Sequence, residues 1–297
     1  MTAPYAFHFY KPAAWLRVMG VDAATFLQGQ FTNDLRSASS THAVYGLWLN
    51  QKGKVLADSF VLRDGAVENV FWVLSYFSTA AAIRERLEAY VIADDVVIDD
   101  FTAAWAGVAI IGADTVRGLE TRQGPGFRFR GRRTREENFD WIFPVGEMAG
   151  VRAGLEQAGV RELSALELEQ RRLAAGIPAV PRDIGPCELP NEGGLEADAI
   201  SYTKGCYLGQ EVMARLKSLG QVRRRLTRVT GDGETFPALP AALFSVGRKV
   251  GELRSAAPDG SGGFLGLALL SLLHLPADAL LSFTPESPPR LRVIATP

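Results

Sequence analysis

The run SYTKGCYLGQEVMARL, residues 201–216, holds one of only two cysteines in a chain of 297 residues. Cys206 stands two residues after Lys204, and a Gly-Gln-Glu triplet, Gly209 to Glu211, follows it. A thiol works as a nucleophile or a metal ligand only as the thiolate, and an adjacent ammonium or a helix N-terminus favours that form. With Thr203 as cap, a helix through CYLGQEVMARLK would carry Cys206 in its first turn. Tyr207, Val212, Leu216 and Leu219 would then form its apolar stripe. Lys204 would supply the second positive group. Gly205 and Gly209 imply close approach of another segment or a ligand. On these residues alone the plainer alternative stays open, in which the cysteine is a small buried apolar group and the glycines let helices pack. Cys187, in GPCELP, has no comparable surroundings.

The remaining chemistry is sparse. Two cysteines make neither a disulfide framework nor, by themselves, a closed zinc site. His8, His42 and His274 are scattered without ligand spacing, so no stable metal site is expected. A formal net charge of −1 argues against a dedicated nucleic-acid or membrane-surface protein. The arginine-rich run GFRFRGRRTR, residues 126–135, could bind phosphates. A hairpin with Phe127 and Phe129 inward and Arg128 and Arg130 in solvent is the simpler reading. Glu211 and Arg215, four apart, are placed to pair with each other. The N-terminus has no signal or transit pattern, and the longest apolar run, GFLGLALLSLLHLP, is too short to span a bilayer. A soluble, cytosolic protein with reduced thiols is expected.

The elements that must position Cys206 show an internal echo. RVMGVDAATFLQ, residues 17–28, and AIIGADTVRGLE, residues 109–120, align at an offset of 92, matching Gly20 with Gly112, Asp22 with Asp114 and Leu27 with Leu119. Each reads as strand, glycine turn, helix-capping Asp and amphipathic helix. Strand-like runs, a second helix and a last strand follow each copy. The pattern predicts an α+β chain of two tandem ferredoxin-like βαββαβ units, residues 1–102 and 103–220. The second would also carry a helix from Ser164, with Glu167 completing its cap and Gly176 ending it, and a long Pro/Gly-rich loop. Short strands between glycine turns over 221–297 predict a small antiparallel β-barrel or sandwich.

The stretch TKGCYLGQE resembles the Lys-Gly-Cys-Tyr-x-Gly-Gln-Glu signature of the YgfZ family, a branch of the glycine-cleavage T-protein superfamily. GIP, LPNEGGL and AISYTKGCYLGQEVMARL occur in that family's order, and VMGVDAATFLQGQFTNDL and LWLNQKGKVLADSFV are similar to the T-protein N-terminal pattern. The resemblance implies three domains in a ring around a folate-sized hole, the last of them a barrel, and a tetrahydrofolate-linked role in assembling or repairing iron–sulfur clusters. Iron–sulfur enzymes or cluster-assembly proteins would be the partners, and Cys206, with Lys204, the working group. Tyr207, Gln210, Glu211, Arg172 and Asn33 are candidate contacts for tetrahydrofolate or a derivative, although Asn33 and Asp34 also suit a plain helix-ending turn. The arginines of VRRRLTR, residues 222–228, could face the hole. The chain departs from the aminomethyltransferases of the superfamily in two places. Ala57 replaces the first of their paired aspartates, and Ala174 stands where a pterin-gripping Glu would be. A folate-dependent aminomethyl- or methyltransferase and a non-catalytic scaffold are the alternative functions.

Overall fold

The computed structural model describes residues 5–112, 124–220, 222–273, 275 and 279–294. Its strands form three sheets. The first comprises β2 (Ala14–Met19), β3 (Val44–Leu49), β4 (Val55–Arg63), β5 (Val70–Ser75) and β6 (Val97–Asp100), in the order β3-β4-β5-β2-β6. Because side chains alternate along a strand, β2 sends Ala14, Leu16 and Val18 to one face and Trp15 to the other. Helices α1 (Ala23–Gln30) and α2 (Ala80–Glu88) cover the first face with Phe26, Leu27, Ile83 and Leu87. Thr79 caps α2 through its hydroxyl, which accepts from the Ala82 N–H. Asp22, expected to cap α1 in the same way, makes no cap bond; its carboxylate accepts instead from the Asp95 N–H at 2.9 Å. Gly20 explains the detour. Its φ is +136°, and a Cβ there would stand 1.9 Å from the Asp95 carbonyl oxygen, so the two turns are pressed together.

The second sheet has the order β10-β1-β7-β9-β8, from β1 (Ala6–Tyr10), β7 (Trp105–Ile111), β8 (Phe127–Arg130), β9 (Asn138–Pro144) and β10 (Arg161–Glu162). Helix α3 (Met148–Gln157) packs on it through Val151 and Leu155. A βαββαβ count therefore falls one strand short in each sheet: β3 lengthens the first, and β1 enters the second. Residues 6–10, counted with the first unit by the sequence, pair with β7 and β10. The second copy of the echo keeps Gly112 at φ +114°, while Asp114 and Leu119 lie outside the described residues.

The two sheets meet through an aromatic layer in which Trp15 stacks on Trp72 at 5.0 Å and Phe60 contacts Phe129. Phe127 and Phe129 of the arginine-rich run point into this layer, as the hairpin reading requires. Arg130 is exposed, but Arg128 lies over the Trp141 ring at 4.0 Å rather than in solvent.

Helix α4 (Ala165–Ala175) begins with the expected reciprocal cap between Ser164 and Glu167 and ends at Gly176 with φ +73°. The ordered loop after it contains the short helix α5 (Glu196–Ala199) and leads through the motif to α6 (Gln210–Leu219). Strands β11 (Arg224–Asp232), β12 (Ala241–Ser245), β13 (Arg248–Pro258), β14 (Gly263–Ser271), β15 (Leu280–Leu281) and β16 (Leu291–Val293) form the third sheet, ordered β12-β13-β14-β11-β16-β15. Reciprocal backbone bonds between Phe244 and Ser282, both 2.9 Å, join its two ends into a nearly closed barrel. Arg224 and Arg225 pair with Glu188, Glu192 and Glu196 of the long loop, so these arginines tie the barrel to the loop. Among the described residues no helix is long and apolar enough to cross a membrane.

Candidate functional site

The loop that carries Cys206 is docked on the C-terminal end of α1. The last carbonyls of any helix lack intrahelical partners. Here the Lys204 ammonium accepts that role, with Nζ donating to the carbonyl oxygens of Gln28 (2.7 Å), Phe31 (2.7 Å) and Asn33 (2.9 Å). A cation at this end also complements the helix dipole. Further bonds pin both sides of the loop: Ser201 N–H to Thr32 O (3.1 Å) and Leu208 N–H to Gly29 O (3.1 Å). Thr32 Oγ1 donates to Ala199 O, and Asn33 Nδ2 donates to Asp198 O. Burial lowers the Lys204 pKa to about 8, with the Asp34 carboxylate opposing that shift.

This geometry corrects the expected arrangement around the thiol. Helix α6 starts at Gln210 with Gly209 before it, so Cys206 precedes the helix by four residues and Thr203 does not cap it. The bonds of Lys204 go to backbone carbonyls, so it acts as a clamp on the loop rather than as a partner of the thiol. Cys206 is exposed between the two pinned flanks. It borders a groove of about 450 Å³ whose other walls include Gln28, Leu35, Arg36, Arg63 and Phe71. Arg36 is engaged by Asp34 through paired contacts. The arrangement presents a thiol on a fixed support beside basic and apolar surface.

The rest of the motif anchors rather than lines this groove. Tyr207 is 6% exposed and packs with Leu47, Leu49, Val55 and Ile184. Burial raises its pKa to about 12. Gly209 has φ +85°, and a Cβ on it would lie 2.9 Å from the Asn50 carbonyl oxygen, so only glycine lets the motif pass the Asn50–Gly53 turn. Gly205 is different: a Cβ there meets nothing within 4 Å, which removes the close approach expected of it. Met213 is fully buried, and Val212 and Leu216 are half-buried against the same cluster. Gln210 is half-buried at the start of α6 and Glu211 exposed, and no ion pair joins Glu211 to Arg215 among the described residues. Cys187 is exposed and distant in sequence from these contacts.

Arg172 and Asn33, the other candidate ligand contacts, are taken up by the protein itself. Arg172 is 3% exposed and pairs with Asp183 (2.8 Å) and Glu169 (2.7 Å). Asn33 gives its amide to Tyr45 O and Asp198 O and accepts from the Asp34 N–H, which is the turn-forming role. His8 Nδ1 donates to Leu163 O at 2.8 Å, as an ordinary satisfied histidine does, while His274 lies outside the described residues. Ala57 is fully buried beneath α1 and α2, so position 57 faces the helix-covered core. Asp58 faces the opposite side, where Ser75, Ser78 and Tyr45 donate to its carboxylate. A second cavity, of about 250 Å³, lies between the first two sheets and α4, walled by Tyr10, Tyr76, Phe77, Arg133, Glu169 and Arg172 among others. The sequence reading missed Arg133; its only signal was the basic run read as a hairpin.

Residues 12–124 match the GCVT N-terminal domain. Over 275 residues the chain is 30% identical to the mitochondrial iron-sulfur cluster assembly factor IBA57 of Homo sapiens, covering 86% of this chain and 74% of that one. The chain belongs to the YgfZ/IBA57 family. It is also 29% identical over 306 residues to a second member, the tRNA-modifying protein YgfZ of Edwardsiella ictaluri, covering 95% and 90% of the two chains. This family lies within the folate-binding, glycine-cleavage T-protein-like superfamily. The fold agrees: the glycine cleavage system aminomethyltransferase T from Bartonella henselae superposes with a TM-score of 0.79 at 17% identity, over 98% of this chain and 85% of that one. In this YgfZ/IBA57 chain the signature residues thus divide into an exposed thiol, a clamping lysine and a buried tyrosine.

Proposed function

We propose that the protein is a tetrahydrofolate-binding auxiliary factor in the assembly or repair of iron–sulfur clusters, working through the Cys206 thiol. The observation that carries this reading is the loop clamped by Lys204 on α1, which holds one thiol outward on a rigid support beside a groove. Preorganisation of this kind suits a group that must meet a cluster or a protein-bound sulfur. The folate half of the reading is supported by membership of the folate-binding T-protein-like superfamily and by the likeness of the fold to an aminomethyltransferase. Iron–sulfur enzymes or their assembly proteins are the partners, in keeping with the named role of the human relative. Two free, exposed cysteines fit a reducing compartment such as the cytosol. Transferase chemistry has less support, since the buried Asp58 carboxylate already accepts three side-chain hydroxyl bonds.

The test is complementation in cells lacking their own copy, comparing wild type with Cys206→Ser at equal abundance. The readout is the activity of an iron–sulfur enzyme. Rescue by wild type alone supports the thiol mechanism; equal rescue by both would overturn it and leave the scaffold reading.

A further inference from the structure

We propose that the groove beside Cys206 is a docking site for an acidic, extended segment of a partner protein, with Arg63 as the residue that reads the acid. That the partner is an iron–sulfur protein rests on the reading above; the chemistry of the segment does not.

The groove lies where the first sheet runs out from under its helices. Side chains alternate along β4, so Ala57, Val61 and Arg63 share the face that α1 and α2 cover. Ala57 and Val61 are fully buried there, whereas Arg63, at the end of the strand, is exposed. Its partner across the antiparallel ladder is Phe71, so the two side chains stand beside each other. Phe71 and Leu35, 4% and 6% exposed, contribute the apolar floor. Ala24 and Thr25 of α1 are exposed in the wall, which Arg36 and Cys206 extend.

The polar groups of this wall are unevenly used. Gln28 Oε1 accepts from the Leu35 N–H (2.9 Å), and Gln28 Nε2 donates to Asp34 (3.0 Å). The backbone carbonyls of Gln28 and Gly29 are bonded to Lys204 and to the Leu208 N–H. Arg36 is matched by Asp34. Arg63 is the exception: its guanidinium has no partner among the described residues, and no carboxylate is among those that line the groove. The missing group is therefore an anion, and a carboxylate meets a guanidinium with two parallel bonds.

The surroundings of Arg63 say what carries that carboxylate. Apolar surface next to the guanidinium favours a chain that can bury a side chain beside its acid. At about 450 Å³ the groove has room for a short stretch of such a chain. Nucleic acid fits less well, because Phe71 is too deeply buried to stack on a base and one free arginine is a small footprint for a phosphate backbone. The thiol shares the wall, so a segment seated on Arg63 brings what it carries to Cys206.

The test uses the full chain with Cys187→Ser, in which alkylation of Cys206 by iodoacetamide is followed by mass spectrometry. Three probes are added in turn: a peptide of repeated Glu-Leu-Glu units, its Gln-Leu-Gln counterpart, and oligouridylate. The acidic peptide is expected to slow alkylation, and the glutamine peptide to protect about fivefold less well. Arg63→Glu should weaken the acidic peptide about tenfold, and added salt should weaken it too. Ala24→Glu, at an exposed helix position, puts a carboxylate into the groove and should also weaken it, which keeps the test valid if Arg63→Glu fails to fold. Equal protection by the two peptides would overturn the proposal. So would protection that neither substitution changes, or no protection by any probe. Protection by oligouridylate but not by the acidic peptide would overturn it in favour of RNA. If the peptide protects through Arg63 while Cys206→Ser still rescues cells fully, docking stands and the thiol reading falls. If Cys206→Ser fails to rescue while neither peptide protects, the proposal falls and the thiol reading stands.

Discussion

The Lys204 ammonium lies 2.7 Å from the carbonyl oxygen of Phe31, the residue that ends α1, although 173 residues separate the two in the chain. Together with the bonds to Gln28 and Asn33, this contact makes the cysteine loop and the end of α1 one structural unit.

Replacing Lys204 by Met should release that unit. Three carbonyls would lose their donor, and leaving a buried group unsatisfied costs about 1–3 kcal/mol. Urea unfolding at neutral pH should show a lower midpoint for Lys204→Met, and hydrogen exchange should show faster opening across residues 201–209.

The same lysine gives a pH signature. Its pKa falls from 10.5 when free to about 8 in the folded chain. Between these values the unfolded chain holds the proton and the folded chain does not, so this group's contribution to stability rises with pH across that window. Unfolding free energies measured from pH 7.5 to 10.5 should rise more steeply, or fall less, in wild type than in Lys204→Met. Identical slopes would show that the ammonium is not perturbed.

The two glycines flanking Cys206 should behave differently. Gly209→Ala forces a side chain into a left-handed conformation and against the Asn50 carbonyl, which should cost about 1–2 kcal/mol or more. Gly205→Ala meets open space and should leave the melting temperature nearly unchanged. Differential scanning calorimetry of the two variants separates these outcomes.

Thiol counting checks the presentation of Cys206. Both cysteines are exposed, so a mild disulfide reagent should modify two thiols per folded chain, one in Cys206→Ser and none when Cys187 is also replaced. A wild-type chain that titrates only one thiol before unfolding would contradict the exposed loop.

Asp58 should leave an acid-side signature of opposite form. Burial raises its pKa above 3.8, while Ser75, Ser78 and Tyr45 restrain the rise. A raised carboxylate pKa means the folded chain holds the proton more tightly. Its contribution to stability is therefore greatest at low pH and is lost as pH rises from 3.8 through the raised value. Asp58→Asn should flatten that part of the stability–pH curve, as measured by urea midpoints between pH 4 and 8.

How far these features were legible in the sequence depends on the range of the interaction behind them. The cap of α4 could be read because Ser164 and Glu167 are three residues apart and satisfy each other locally. The strands of the third sheet could be read as short runs set off by glycine turns. Cys206 could be singled out by its neighbours, but its position could not, because a helix start at Thr203 and one at Gly209 look alike without the Asn50 turn that selects the latter. Lys204 was read as a partner of the nearest thiol, whereas its actual partners lie more than 170 residues away. Arg133 and Asp140 were missed for the same reason: Tyr10 and Tyr76, which complete their cluster, come from two other parts of the chain.

Strand β1 has a mechanical consequence. The chain crosses between the first two sheets at residues 11–13, where β1 leads into β2, and crosses again at residues 101–104, between β6 and β7. Two bodies joined by one tether can swivel about a point, but a second tether leaves only a hinge along the line between the crossings. The aromatic layer of Trp15, Trp72, Phe127 and Phe129 resists even that rotation. Separating the two bodies by cutting after residue 102 would therefore not yield two complete modules, because the second would lose the strand between β7 and β10 and open a gap in its sheet.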